Sequence, residues 1–203
     1  MPATIGNRKP PFELDEDPTT WCPLARVYVK ADVAREASGT QGFRVPEESQ
    51  PVTRTFANGL LTCYLVDTEI AFQYVLHRHL HAARLTSDEL HVLAVNNLAA
   101  FARGKTAIRD YGGVYGVLVD GNFEASLLAV RPFWDDVMAR LKVGPEIAAA
   151  IPARDVLAFC DAGSSEGVAR LRQTVARVYP RGDHLITNRL YRRSGEQWVL
   201  FEE

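Results

Sequence analysis

Three charged residues stand inside the two most apolar runs of the chain. Glu124 lies in DGNFEASLLAV (120–130), and Arg154 and Asp155 lie in IPARDVLAF (151–159). An ionised side chain in such a run must be paired or reach water, because burying it alone costs several kcal/mol. With His184, these three residues are the candidate ligand-binding set. They would form either an active site assembled without a local motif or a site for a small anionic ligand.

The spacing of these charges leaves two interpretations open. If residues 151 to 160 form a regular strand, Arg154 and Asp155 point to opposite faces and cannot act as a dyad. Glu124 then becomes the natural cross-strand partner of Arg154. The structural interpretation is an ion pair that fixes strand register. The functional one is an arginine held over a pocket for an anion.

The run His77-Arg78-His79-Leu80-His81 is the other candidate for chemistry. On a helix, His77 and His81 are four apart and share a face. Zinc needs a third or fourth ligand, such as Asp88 or His91, and the run contains neither a cysteine nor an HExxH pattern. We expect a solvated surface segment and no bound metal.

No motif for a catalytic nucleophile or a cofactor occurs. The sequence lacks GxSxG, a phosphate-binding loop and GxGxxG, so we expect no cofactor and assign no catalytic residue. Ser126 lacks the sharp turn that exposes a nucleophile. Cys160 precedes Asp161, whose charge would raise the thiol pKa, so a buried structural thiol is expected.

Composition excludes several partners. The 203 residues carry a net charge of −2, and hydrophobic residues make up 47%. This near-neutral charge does not favour binding to nucleic acid or to an anionic membrane. No apolar run is long enough to span a bilayer. The C-terminal quarter is rich in arginine, but acids nearly balance it, so ion pairs on a solvated face are expected. An absent secretory signal and three scattered cysteines favour a cytoplasmic location.

The hydrophobic patterns predict an α+β fold. Asn58-Gly59 lies between two β-prone runs, and residues 114–119 and 123–130 flank the turn Asp120 to Asn122, so both pairs are predicted hairpins. The run 123–130, apolar on one face throughout, is predicted to be the central strand of the sheet.

Single helices interrupt these strands. Thr86 to Glu89 is a capping box opening a helix that ends near Gly104, Pro132 opens a second helix, and Ser164 or Ser165 caps a third. We expect a largely antiparallel mixed sheet of several hairpins with three to four helices packed on it. Residues 1–20 are predicted to be a tail or arm, and residues 21–203 a single domain.

Several blocks of the chain are similar to the YtpQ-like proteins, a bacterial family that carries a domain of unknown function. The likeness covers residues 52–202, through TSDELHVLAVNNL (86–98), DGNFEASLLAV (120–130), FWDD (133–136), IPARDVLAF (151–159) and LYRRSGEQWVLFE (190–202). It implies a bacterial cytoplasmic protein of α+β type and no particular activity. The first fifty residues and the His77–His81 run depart from the family pattern.

Two classes of function follow. The lack of a catalytic motif favours a non-enzymatic protein that recognises another protein, in an immunity- or adaptor-type role, with a homodimer also possible. The alternative is an enzyme or an anion-binding protein that uses Glu124, Arg154, Asp155 and His184. A cleft that contains several of these residues would favour the alternative.

Overall fold

The computed structural model of the protein describes residues 14–33, 45–68, 70–141 and 143–202. These residues form five α-helices and ten strands, and every strand pairing is antiparallel, which confirms the predicted α+β class. Residues 1–13 of the predicted N-terminal arm lie outside the described residues. None of the helices in the described residues has the length and apolar character needed to cross a membrane.

The elements are numbered in chain order. The helices are α1 (Pro18–Trp21), α2 (His77–Ala83), α3 (Ser87–Ala102), α4 (Arg131–Arg140) and α5 (Ser165–Val178). The strands are β1 (Ala25–Ala31), β2 (Thr53–Ala57), β3 (Leu60–Asp67), β4 (Phe72–Tyr74), β5 (Ala107–Asp110), β6 (Val114–Leu118), β7 (Ile147–Ala150), β8 (Leu157–Asp161), β9 (Leu190–Ser194) and β10 (Gln197–Leu200).

The strands form two sheets. The first has the order β1-β3-β2, with β4 also paired to β3. Its β2–β3 hairpin turns at Asn58-Gly59, as predicted, and Gly59 adopts a φ of 77°, which a residue with a side chain rarely tolerates. The second sheet has the order β10-β9-β7-β8-β6-β5.

The prediction of a central strand at residues 123–130 was wrong. Ala125–Ala129 is a 3-10 helix, and the centre of the six-stranded sheet is the pair β7 and β8. Period-2 alternation alone cannot separate a buried strand from another kind of buried segment. The strand that pairs with β6 is β8, which lies about forty residues further along the chain.

A buried carboxylate explains why residues 123–130 do not form an extended strand. Glu124 is 2% exposed, and its Oε1 accepts hydrogen bonds from the backbone N–H groups of Val119, Asp120 and Gly121 at 2.8–3.0 Å. The chain must curl around the carboxylate to bring three successive donors to one oxygen. The residues after Glu124 therefore enter the core as a compact turn of helix.

Two tryptophans satisfy the carbonyl groups of the buried 3-10 helix. The indole of Trp134 donates to the Leu127 carbonyl and that of Trp198 to the Leu128 carbonyl, each at 2.9 Å. Buried backbone polar groups need such partners where no sheet ladder supplies them. This segment is thus held in the core without belonging to either sheet.

Strands β7 and β8 are covered on both faces. Ala149 and Phe159 face the main core between the sheets, whereas Ala148 and Cys160 face a smaller cluster beneath α5. Because side chains alternate between the two faces and both faces are covered, almost every residue of both strands is apolar.

The helix-capping predictions were confirmed. The Thr86 hydroxyl accepts the Glu89 N–H at 3.2 Å while the Glu89 carboxylate accepts the Thr86 N–H at 2.8 Å, which closes the capping box. Ser164 caps α5 by accepting the N–H of Gly167 at 3.0 Å. Asn97 joins α3 to the first residue of β1 and to the turn before it by donating to the carbonyls of Ala25 and Cys22, each at 2.8 Å.

Leu127→Ala should destabilise the protein by about 2–5 kcal/mol, because it leaves a cavity beside a fully buried backbone. Urea unfolding monitored by tryptophan fluorescence measures the change. Val92→Ala, at a residue that is 60% exposed on α3, is the control and should change stability by less than about 0.5 kcal/mol. A loss below about 1 kcal/mol for Leu127→Ala would contradict the central position of the 3-10 helix.

Candidate functional site

The four candidate residues occupy three different places. Glu124 is buried under the turn that precedes the 3-10 helix, and Asp155 is exposed in a groove beside α5. Arg154 and His184 line one and the same cavity. The structure therefore joins two of the four residues and separates the other two from them.

The predicted ion pair between Glu124 and Arg154 was wrong. Residues 151–156 are not a strand but the connection between β7 and β8, and no ion pair within 4.0 Å joins these two described side chains. Their segments meet through the backbone instead, because the N–H of Ala125 donates to the Arg154 carbonyl at 3.1 Å.

Backbone hydrogen bonds hold Arg154 next to His184. The N–H of Arg154 donates to the His184 carbonyl at 3.2 Å, and the N–H of Ile186 donates to the Pro152 carbonyl at 3.0 Å. The two loops thus form a short antiparallel ladder outside the regular sheets. Both side chains are presented from this ladder on one wall of the cavity.

The opposite wall is the first sheet. Tyr28 and Lys30 stand two apart on β1 and therefore on the same face, since side chains alternate along a strand. Tyr74 on β4 also lines the cavity, and its hydroxyl lies 2.6 Å from the Lys30 Nζ. The N–H of Val29, between the two β1 residues, donates to the buried Ser126 hydroxyl oxygen at 3.1 Å.

Burial and a nearby cation have opposite effects on the pKa of the Tyr28 hydroxyl. Burial raises the pKa of its hydroxyl to about 12, although the Arg154 guanidinium beside it favours the phenolate and lowers the pKa. The hydroxyl is therefore protonated at neutral pH and available as a hydrogen-bond donor.

The cavity has a volume of about 360 Å³ and a cationic lining. Lys30 and Arg154 both contribute to it, and among the described residues that line it there is no aspartate or glutamate. Neither cation has a carboxylate partner within 4.0 Å in the described part of the chain. Apolar side chains complete the lining, notably Leu65, Phe72 and Ile186.

The backbone of His184 is unusual. Its φ is 52°, in the left-handed region that few residues other than glycine adopt. Asp183 stabilises the turn by accepting the His184 N–H at 2.9 Å, and its other carboxylate oxygen lies 3.4 Å from the imidazole Nε2. Conformations of this kind concentrate at functional sites.

Sequence reasoning missed Tyr28, Lys30 and Tyr74. The signal for the first two was present, because the run Arg26-Val27-Tyr28-Val29-Lys30 alternates polar and apolar residues, so a polar face could have been read from it. Tyr74 carried no such signal. Its approach to Lys30 depends on β1 and β4 both pairing with β3.

The histidine run forms α2, and its middle histidine is structural. His79 is buried, and its Nδ1 accepts the N–H of Leu76 at 3.0 Å, which caps the helix. His77 is half-buried and His81 is exposed. The described residues include no group of three or more His, Cys, Asp and Glu that could hold a metal ion.

The arginine-rich C-terminal quarter takes part in ion pairs, as expected, and one of them is local in sequence. Arg193 contacts Asp135 at 2.8 Å and Arg192 contacts Glu146 at 3.4 Å. Arg170 contacts Glu166 and also donates to the carbonyl of Tyr111, which attaches α5 to the end of β5.

Comparison with known proteins finds no relative, because no protein-family model, curated protein or solved structure matches the chain. The likeness to the YtpQ-like proteins therefore stays a prediction.

Glu124→Ala should cost roughly 2–4 kcal/mol, because three backbone N–H groups lose a charged acceptor. Thermal and urea unfolding measure the loss. Asp155→Ala removes the same charge from an exposed residue and should change stability by less than about 0.5 kcal/mol. Equal effects of the two substitutions would refute the structural role assigned to the Glu124 carboxylate.

The three free thiols should differ in reactivity. Burial raises the pKa of Cys63 to about 12, and burial together with Asp161 raises that of Cys160 to about 11, whereas Cys22 is only half-buried. Since the thiolate is the nucleophile, a disulfide reagent at pH 8 should label Cys22 first and the other two only after unfolding. Mass spectrometry of tryptic peptides identifies the labelled residue, and early labelling of Cys63 would contradict its burial.

Proposed function

We propose that the protein binds a small organic anion in the cavity between the first sheet and the Arg154–His184 ladder. The observation that carries this proposal is the presence of two cations, Lys30 and Arg154, in a cavity that no described aspartate or glutamate lines. This arrangement puts the small-anion alternative ahead of the protein-binding role that the sequence favours.

The electrostatics of the cavity favour an anionic ligand over a neutral one. Arg154 is half-buried, and a partly desolvated guanidinium gains most from a charged acceptor that satisfies its fork of donors. The Tyr28 hydroxyl adds a donor on the same lining, and the imidazole of His184 adds a further polar group. A carboxylate or phosphate supplies the charge that the cavity lacks.

The apolar part of the lining indicates an organic ligand. Leu65, Phe72 and Ile186 offer a surface suited to carbon atoms, and a volume of about 360 Å³ lies in the range of small-ligand sites. An inorganic ion would leave this surface uncovered. The ligand should therefore join an anionic group to a short hydrocarbon body.

Isothermal titration calorimetry with a panel of carboxylates and phosphate monoesters tests the proposal. Arg154→Gln and Lys30→Met should each weaken binding by at least about tenfold, which corresponds to about 1.4 kcal/mol. Arg109→Gln on β5 and Lys105→Met after α3 remove the same charges outside the cavity and should bind like the unmodified protein.

Two outcomes would contradict the proposal. One is a panel without any saturable binder, measured on protein whose thermal unfolding shows it to be folded. The other is equal weakening by the cavity variants and by the two control variants, which would indicate a general charge effect.

A second candidate function is recognition of another protein through the outer face of the second sheet. A groove of about 780 Å³ runs between β6 and α5, and Tyr111 beside it is 60% exposed. Leu118 in the same groove is also exposed. Affinity capture with the unmodified protein and with Tyr111→Ala tests this role, and a partner retained equally by both would argue against this surface.

The cellular setting belongs to the proposal as well. A cytoplasmic location is supported by the free state of Cys22, Cys63 and Cys160, because reducing compartments keep such thiols unpaired.

A further inference from the structure

The cavity contains two cation–phenol pairs rather than one. Lys30 pairs with the hydroxyl of Tyr74 at 2.6 Å, and Arg154 lines the cavity together with Tyr28, near enough for its charge to oppose the rise in the pKa of the Tyr28 hydroxyl. One member of each pair comes from β1, whereas the other comes from β4 or from the loop before β8.

Strand geometry separates the two pairs. Tyr28 and Lys30 are two residues apart on one face of β1, so their Cα atoms lie roughly 6–7 Å apart. Side chains on one face of a strand stand next to each other, so the two pairs occupy neighbouring positions along the cavity wall. Each pair therefore offers its own anion position.

From these two pairs we infer that the ligand is a dicarboxylate, with one carboxylate at Lys30 and Tyr74 and the other at Arg154 and Tyr28. This inference rests on the proposed anion-binding function and specifies its ligand. One cation at each position matches the single charge of a carboxylate. A phosphate monoester, with nearly two charges on one group, would leave one position unneutralised.

The lining between the pairs suits a hydrocarbon linker. Leu65 and Phe72 line the same cavity as both pairs and offer no charged group to a bridging segment. A linear, saturated chain between the two carboxylates would cover this apolar surface. The two positions also differ, because the Arg154 guanidinium can donate two parallel hydrogen bonds to a carboxylate, whereas the Lys30 ammonium acts as a point charge.

Calorimetric titration with linear dicarboxylates from malonate to pimelate, each against the monocarboxylate of equal chain length, tests the inference. The best dicarboxylate should bind at least about tenfold more tightly than its monocarboxylate. Arg154→Gln and Lys30→Met should each remove this preference, so that both acids bind with similar affinity. Lys105→Met, outside the cavity, should retain the preference.

The possible failures are distinguishable. Monocarboxylates that bind as tightly as dicarboxylates, with loss of binding in Arg154→Gln, would overturn the two-position inference and leave the anion-binding proposal in place. Absence of binding by every acid, in protein that unfolds cooperatively on heating, would overturn both. Tighter binding of phosphate monoesters than of any dicarboxylate would also overturn the inference. Thermal unfolding of each variant shows whether it is folded before the titration is interpreted.

Discussion

The segment from Glu124 to Ser126 joins the two walls of the cavity, which are the first sheet and the Arg154–His184 ladder. The Glu124 carboxylate curls the preceding turn by accepting three backbone N–H groups. Immediately after it, the Ala125 N–H bonds to the carbonyl of Arg154, and the Ser126 hydroxyl accepts the N–H of Val29 on β1. Since β1 carries two of the proposed ligand-binding residues, this one buried segment sets the distance between the first sheet and the loop opposite it.

This arrangement explains how the cavity can hold two cations that no carboxylate among the described residues neutralises. The ladder between Arg154 and His184 uses backbone groups, so the side chains stay available to a ligand. Lys30 is exposed and Arg154 is half-buried, so water solvates both charges when no ligand is bound. A rigid backbone with accessible charged ends is a preorganised site, and preorganisation reduces the entropy lost on binding.

The sequence predicted local structure better than the site, for physical reasons. Caps and the Asn58-Gly59 turn depend on residues close in sequence, and these predictions were confirmed. The run 123–130 was misassigned because a buried strand and a buried 3-10 helix share the same apolar composition, and because the bonds accepted by Glu124 are not visible as a pattern. Arg154 and His184 were predicted as candidates, but their approach depends on a loop ladder across thirty residues. Tyr74 could not have been placed without the pairing of β4 with β3.

The most direct test of the anion site is an NMR titration that observes arginine side-chain Nε–Hε groups and backbone amides while glutarate is added. The proposal predicts saturable shifts for the Arg154 Nε–Hε and for the amides of Lys30 and His184, with the Arg109 signal unchanged. Shifts confined to the arginines of α5, or shifts that grow linearly without saturation, would contradict it.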